Sequence, residues 1–307
     1  RLDYIKDIID WERFRPFFAD LFFDDDKIGG RPHYNEIVMM KVLVLQRFYG
    51  LSDQETEFQI NDRTSFKNFL GFPDKIPDYT TIWTLKERMQ KNRTIDKIWN
   101  ELQKQLVEKG LKVKSGVIQD ATFIEADFGK KRYCKEKKSE KHGKKIEYTD
   151  KQKAHIDKDG TFAVKHKQIH YGYKLHQKTD VDHGLIREFD LTTASTHDNN
   201  IDLTKQNDDT VYRDKGYFGV KPHPNVRDMT MKRAVRGRPL TKQEKKYNKA
   251  IAKIRSPGER IFSVLRRVFH GGRTRVKNLQ RVTVQEAMNC FAYNLYQLFT
   301  LKKQRKW

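Results

Sequence analysis

Cysteine is almost missing from this chain: Cys134 and Cys290 are the only two in 307 residues, and no CxxC pair occurs. A disulfide scaffold and a cysteine-built zinc site are therefore excluded, and a reducing compartment fits. Long apolar runs are missing too. None approaches the ~20 residues of a membrane helix, and no signal-peptide pattern opens the chain. The first residue is Arg1 rather than Met, so further residues are expected ahead of it. No internal repeat is found, and neither GRPLTKQEKK nor the Gly219 region resembles a phosphate-binding glycine loop. Acidic residues are outnumbered, with 41 Asp and Glu against 63 Lys and Arg, a net charge of +22. Such an excess favours a polyanion, held through counterion release. Nucleic acid is preferred to an anionic membrane surface.

What is present divides into two stretches. Residues 1–112 read as helices throughout. IVMMKVLVLQRFY, within Tyr34 to Tyr49, is a strongly apolar helix that stops at Gly50, and Ser52 with Glu55 forms a capping-box pattern for the next. After Pro77-Asp78-Tyr79-Thr80 comes TIWTLKERMQ, with Trp83 and Leu85 assigned to packing and Lys86 and Arg88 to a polar face. Two readings of this region stand side by side: a helix-turn-helix, or a plain helical bundle with a solvated charged face.

From residue 113 the period changes to that of strands. VKSGVIQDATFIEADF is the first. A Lys-rich insert at 130–158 reads as a loop or hairpin. TFAVKHKQIHYGYKLHQ is the second strand and GLIREFDLTTAS the third. HDNNIDLTKQ reads as a capped helix, TVYRDKGYF as a fourth strand and MTMKRAV as a fifth, before long helices to the end. By analogy, this order resembles that of the ribonuclease-H-like fold, in which strands one and four are neighbours. The expected architecture is α/β: a mixed five-stranded sheet flanked by helices at 113–307, after an all-α N-terminal DNA-binding domain at 1–112.

Three acids stand out in that frame. Asp120 sits among apolar residues in the first strand, where a carboxylate is costly unless paired or bound to a cation. Asp214 ends the fourth strand, although Asp before Lys-Gly is also a common turn. Glu259 belongs to Ser256-Pro257-Gly258-Glu259, which is itself a capping box with Pro at the first helical position. Glu125 and Asp127 have the opposite strand parity to Asp120. Asp198 reads as a helix N-cap. His166, His170 and His176 share parity but lack the spacing of a zinc site.

These motifs resemble the bacterial insertion-sequence DDE transposases of the InsH-like, insertion-sequence five type. RPHYNEIVMMKVLVLQRFYGLSDQETE is similar to that family's N-terminal region. QDATFIEA, VYRDKGYFG and IRSPGERIFSVLRR are similar to its three catalytic blocks, and HYGYKLHQKTD and LTTASTHDNN to the strands between. In the third block Arg255, Glu259 and Arg266 match, while Ala252 stands where the signature has Tyr and Arg266 where Lys is usual. The resemblance implies that Asp120, Asp214 and Glu259 hold two Mg²⁺ ions, with Mn²⁺ as substitute. It implies DNA contacts from Lys86, Arg88, Lys174, His176, Lys215, Arg255 and Arg266. The implied partners are double-stranded DNA, both terminal inverted repeats and target, and a second copy of the chain. The implied location is the bacterial cytoplasm, at the nucleoid. Competing readings are a ribonuclease-H-like DNA-binding protein without catalysis and one that only hydrolyses.

Overall fold

In the computed structural model, residues 1–19, 21–22, 33–127, 142–143, 149, 157–165 and 167–304 are described. Most of the Lys-rich insert at 130–158 lies outside them.

Helices fill the first third: α1 (Leu2–Ile8), α2 (Arg15–Ala19), α3 (Glu36–Tyr49), α4 (Asp53–Asp62), α5 (Thr64–Leu70), α6 (Tyr79–Lys91) and α7 (Thr94–Glu108). The apolar helix α3 starts where Asn35 accepts the amides of Ile37 and Val38, and it stops at Gly50 with φ 63°. A side chain at Gly50 would also strike the His270 ring, so its left-handed turn and its close approach both require glycine. Ser52 caps α4 by accepting the Glu55 amide, but the reciprocal half of the expected capping box is not formed, and the Glu55 carboxylate accepts from Gln59 instead.

The sheet has six strands: β1 (Val117–Glu125), β2 (Thr161–Lys165), β3 (Gln168–Asp180), β4 (Ile186–Thr193), β5 (Thr210–Arg213) and β6 (Arg227–Thr230). They run β2-β3-β1-β5-β6, with β4 also on β3. The long β3 pairs β2 through its first half and β4 through its second, so those two strands follow one another along the same edge. β1 is antiparallel to β3 and parallel to β5, and β5 is parallel to β6. The neighbouring placement of the first strand and TVYR is therefore as expected.

Three local expectations are corrected. The single second strand is a hairpin: Lys165 pairs with Gln168, and Lys167 has φ 66°. No Asn-Gly or Asp-Gly marks that reversal, so strand period runs straight through it. The helix expected at HDNNIDLTKQ is only a 3-10 turn, Asp198–Asn200. Gln119 of β1 explains this, because it donates to the Ile201 carbonyl and accepts from the Leu203 amide, holding those groups in an extended segment. The helix carrying Glu259 does not begin at Ser256. It is α8 (Lys242–Val268), and its capping box is Thr241 with Glu244. Pro257 lies inside it on the exposed side. Its missing amide costs one backbone bond, and burial of Ile251, Arg255, Gly258, Ile261, Phe262 and Leu265 along one face carries the helix through.

The last helix, α9 (Leu279–Lys303), packs against α1, α3, α6, α7 and β4. One buried apolar cluster runs from Leu2 to Leu301, so the N-terminal helices share a core with the sheet through α9. Several buried charges are paired. Asp180 at the end of β3 has no exposed side-chain surface and accepts from Arg187 Nε at 2.7 Å, and that guanidinium also donates to the Leu111 carbonyl. No described helix is long and apolar enough to cross a membrane.

Candidate active site

β1 alternates its faces. Ile118, Asp120, Thr122 and Ile124 point one way, and Gln119, Ala121 and Phe123 the other. Its parallel register with β5 sets Val117 beside Val211 and Ile118 beside Tyr212. Two further steps bring Asp120 level with Asp214, at the carboxyl end of β5. Asp214 then turns the chain: its Oδ1 accepts the Gly216 amide at 2.8 Å and caps a 3-10 turn, Lys215–Tyr217. On the opposite face Arg213, fully buried, grips Gln119 and Asp202. That clamp fixes β5 against β1 and so fixes the two acids side by side.

α8 lies over the Asp120 face. Gly258 faces Ile118 so closely that an added Cβ would come within 3.2 Å of Ile118 Cγ2. Either side of this contact, Arg255 Nη2 donates to Asp120 Oδ2 at 2.7 Å and Arg266 donates to Thr122 Oγ1. Glu259 lies one helical turn beyond Arg255. Its side chain is exposed and holds no hydrogen bond or ion pair among the described residues. Asp120 and Asp214 are thus brought together, and Glu259 is placed on the helix that covers them. Among the described residues no group of three His, Cys, Asp or Glu side chains is positioned to hold a metal.

The electrostatics of the pair suit a cation. Burial pushes the Asp120 carboxyl up to about 6, against the pull of Arg255 and the Ala121 amide, and the charge of Asp214 raises it further. Two carboxylates competing in one desolvated place are relieved by a divalent ion, and their ligand atoms are the hard oxygens that Mg²⁺ and Mn²⁺ accept. Asp120 keeps 23% of its side-chain surface exposed, which leaves a route in. The residues fit a divalent metal at Asp120 and Asp214. Metal binding must then displace a proton below about pH 6, so affinity should fall towards tenfold per pH unit there and level off above. Calorimetric titration of Mn²⁺ between pH 5 and 7.5 checks this, and a flat profile would show that Asp120 does not take the ion.

The remaining expected contacts separate. Lys215 is exposed next to Asp214, and Arg266 is exposed beside Thr122. His176 has no exposed surface, its Nε2 lies 2.9 Å from Thr192 Oγ1, and burial pushes its pKa down to about 4. A neutral ring without accessible surface is placed inside the sheet layer rather than on a surface open to DNA. Lys174 is also buried, bonded to the Thr196 carbonyl and to Asp198. Asp198 is therefore the partner of a buried lysine, not a helix cap. On α6, Arg88 is exposed and reaches the Leu21 carbonyl, whereas Lys86 is tied to Asp53. Trp83, expected to pack, is 51% exposed.

Tyr217 and Thr122 were not singled out in the sequence. Tyr217 is buried, its hydroxyl has no partner among the described residues, and it feels the charges of Asp120, Asp198 and Asp214. Thr122 was legible as the next residue on the Asp120 face. Tyr217 gave no signal beyond its place in DKGYFG, because only the turn after Asp214 folds it back.

Paired carboxylates just past the parallel pairing of β1 with β5, beside a basic helix, suit metal-dependent phosphodiester chemistry. Residues 111–295, more than half of the chain, match the family model described as the transposase DDE domain, and the chain belongs to that family. Residues 1–88 match a second model, described as a transposase domain (DUF772). No solved structure matches the chain. The mixed sheet with its helices is consistent with the ribonuclease-H-like domain of DDE transposases. Membership makes this protein a DNA transposase of a family that acts with divalent metal ions.

Proposed function

We propose that this transposase is of the InsH-like, insertion-sequence five type. In this reading it binds the terminal inverted repeats of its element as a dimer, cuts DNA strands, and joins the freed 3′-OH ends to target DNA. The observation that carries the reading is the placement of Asp120 beside Asp214 beneath Arg255. These two acids and Glu259 would hold the divalent ions. When bound, such ions activate the attacking oxygen and offset charge on the leaving one.

The chain's own residues supply the rest. Were Asp120 to hold a metal, Arg255, which now donates to it, would be available to hold a phosphate oxygen. Glu259 is exposed and has no hydrogen bond or ion pair among the described residues, and in this reading its three rotatable bonds let the carboxylate turn toward the pair. Lys215 and Arg266 flank the acids and grip the strand on either side. Arg88 and the other basic residues of the N-terminal helices hold flanking DNA. Lys174 acts indirectly, by fixing Asp198 and the segment that backs β1.

One observation favours a second reading. Among the described residues Glu259 completes no three-carboxylate cluster, as expected of a DNA-binding protein that has lost catalysis. Incubating the full chain with Mg²⁺ and a plasmid carrying the element's ends separates the readings. Joined strand-transfer products support the proposal, nicks without joining indicate a simple nuclease, and intact DNA indicates a silent binder.

Two further outcomes are expected. The charge of +22 spreads binding over many phosphates. With six or more of them neutralised, affinity should drop about 10³-fold or more between 50 and 200 mM salt, as read by fluorescence anisotropy. A shallow dependence would show that few basic residues touch the backbone. Asp198→Asn still accepts a hydrogen bond from Lys174 and should retain most cleavage. Complete loss of cutting together with weakened metal affinity in a folded variant would place Asp198, not Asp214, in the reacting set.

A further inference from the structure

A cavity of about 290 Å³ opens between α3, α6 and the start of α9, away from Asp120 and Asp214. Its floor is apolar, built from Leu43, Val284 and Met288, and Trp83 stands in its wall with half its surface exposed. Five basic side chains line it against two carboxylates, Asp53 and Glu87. Both acids are already engaged. Asp53 accepts from Lys86 at 2.5 Å and from Gln46 at 2.6 Å. Glu87 takes a bidentate bond from Arg281 at 2.6 and 2.7 Å. The acid behind the wall, Glu286, accepts from Gln285 and Asn289.

Arg47 is left over. It lines this cavity from α3 and makes no hydrogen bond or ion pair among the described residues, although the residue is half-buried and only the more distant charges of Glu286 and Asp53 offset its desolvation. Arg275 at the rim is exposed and likewise has no partner among them. A planar fork of donors without an acceptor, next to a bare indole over an apolar floor, matches one ligand chemistry: a flat ring joined to an anion. The volume is at the small end of the ~300–1,000 Å³ of small-molecule sites. It suits one unit and is far too narrow for a duplex.

We propose that this cavity is a mononucleotide site, in which the base lies on Trp83 and the phosphate is held by Arg47 with Arg275. The occupant is either a free nucleotide or the terminal nucleotide of a DNA strand. The site shares no residue with the metal site and does not depend on it.

The test uses the full chain in EDTA, which removes any contribution of metal at the acids. Thymidine monophosphate, adenosine monophosphate, thymidine, inorganic phosphate and a short single-stranded oligonucleotide are titrated by calorimetry. Wild type is compared with Trp83→Ala, Trp83→Phe and Arg47→Gln, each checked for folding by circular dichroism. Monophosphates should bind one per chain, with thymidine and phosphate each much weaker. Trp83→Ala should weaken the monophosphates roughly tenfold, with Trp83→Phe close to wild type. Arg47→Gln should weaken the monophosphates and phosphate alike. If only the oligonucleotide binds, and both Trp83→Ala and Arg47→Gln weaken it to this extent, the occupant is a strand end. Absence of saturable binding by every probe would overturn the proposal, as would binding that none of the folded variants alters. Failure here would leave metal-dependent cleavage untouched, and failure of cleavage would leave this binding untouched.

Discussion

Asp120→Asn and Asp214→Asn should each lower DNA cleavage by about 10³-fold or more while leaving DNA affinity nearly unchanged. Metal-centred stabilisation of developing charge is worth several kcal/mol, and each ~1.4 kcal/mol is tenfold in rate. Asparagine preserves the shape of each side chain and the acceptor that Arg255 uses on Asp120. It removes the charge that holds the cation. Affinity rests on many dispersed basic residues, so losing one carboxylate should not reduce it. Cleavage measured in Mg²⁺ and binding measured in Ca²⁺ check the two halves separately. Substantial cleavage by either variant would remove that residue from the site. The parallel experiment with Glu259→Gln tests whether this exposed residue of α8 takes part with the pair.

The second large effect concerns stability. Asp180→Ala should cost about 3–5 kcal/mol, because Arg187 would remain buried with its charge uncompensated. Asp180 accepts from Arg187 Nε at 2.7 Å and from the His183 amide at 2.5 Å, and Arg187 reaches on to Leu111 after α7. The pair thus ties the β3–β4 turn to the end of the N-terminal helices. Asp180→Asn should lose less. Asp180→Leu with Arg187→Met should recover much of the loss, since it removes both charges together. Urea unfolding followed by circular dichroism gives the values. A loss below about 1 kcal/mol for Asp180→Ala would mean that water reaches Arg187 and solvates it.

Several features were legible because they are local. The largely apolar IVMMKVLVLQRFY with Gly50 after it reads as a helix that stops there, as it does. The strand period of VIQDATFIE placed Asp120 on a defined face, and the short apolar TVYR placed Asp214 at a strand end. Other features were misread where local chemistry gave the wrong sign. Ser256-Pro257 has the form of a helix start, yet the buried stripe of α8 runs through it. No turn signature lies between Lys165 and Gln168, yet these two residues pair in a hairpin. Trp83 looks like core by type, but the apolar face of α6 is filled by Ile82, Leu85 and Met89.

By itself, the sequence determined what depends on residue type and short spacing. Those features are the cationic surface, the helical first third, the strands that follow, and the order of the acids along the chain. Only the tertiary structure decided which groups meet. Parallel pairing of β1 with β5 levels Asp120 with Asp214 across ninety-four residues of chain, and α8 returns to set Arg255 on Asp120. The same packing buries His176, engages Lys174 with Asp198, and leaves Arg47 and Trp83 facing an open cavity. Distant segments are brought together by burial of the shared core. That burial depends on the summed fit of many side chains, which no short stretch of sequence contains.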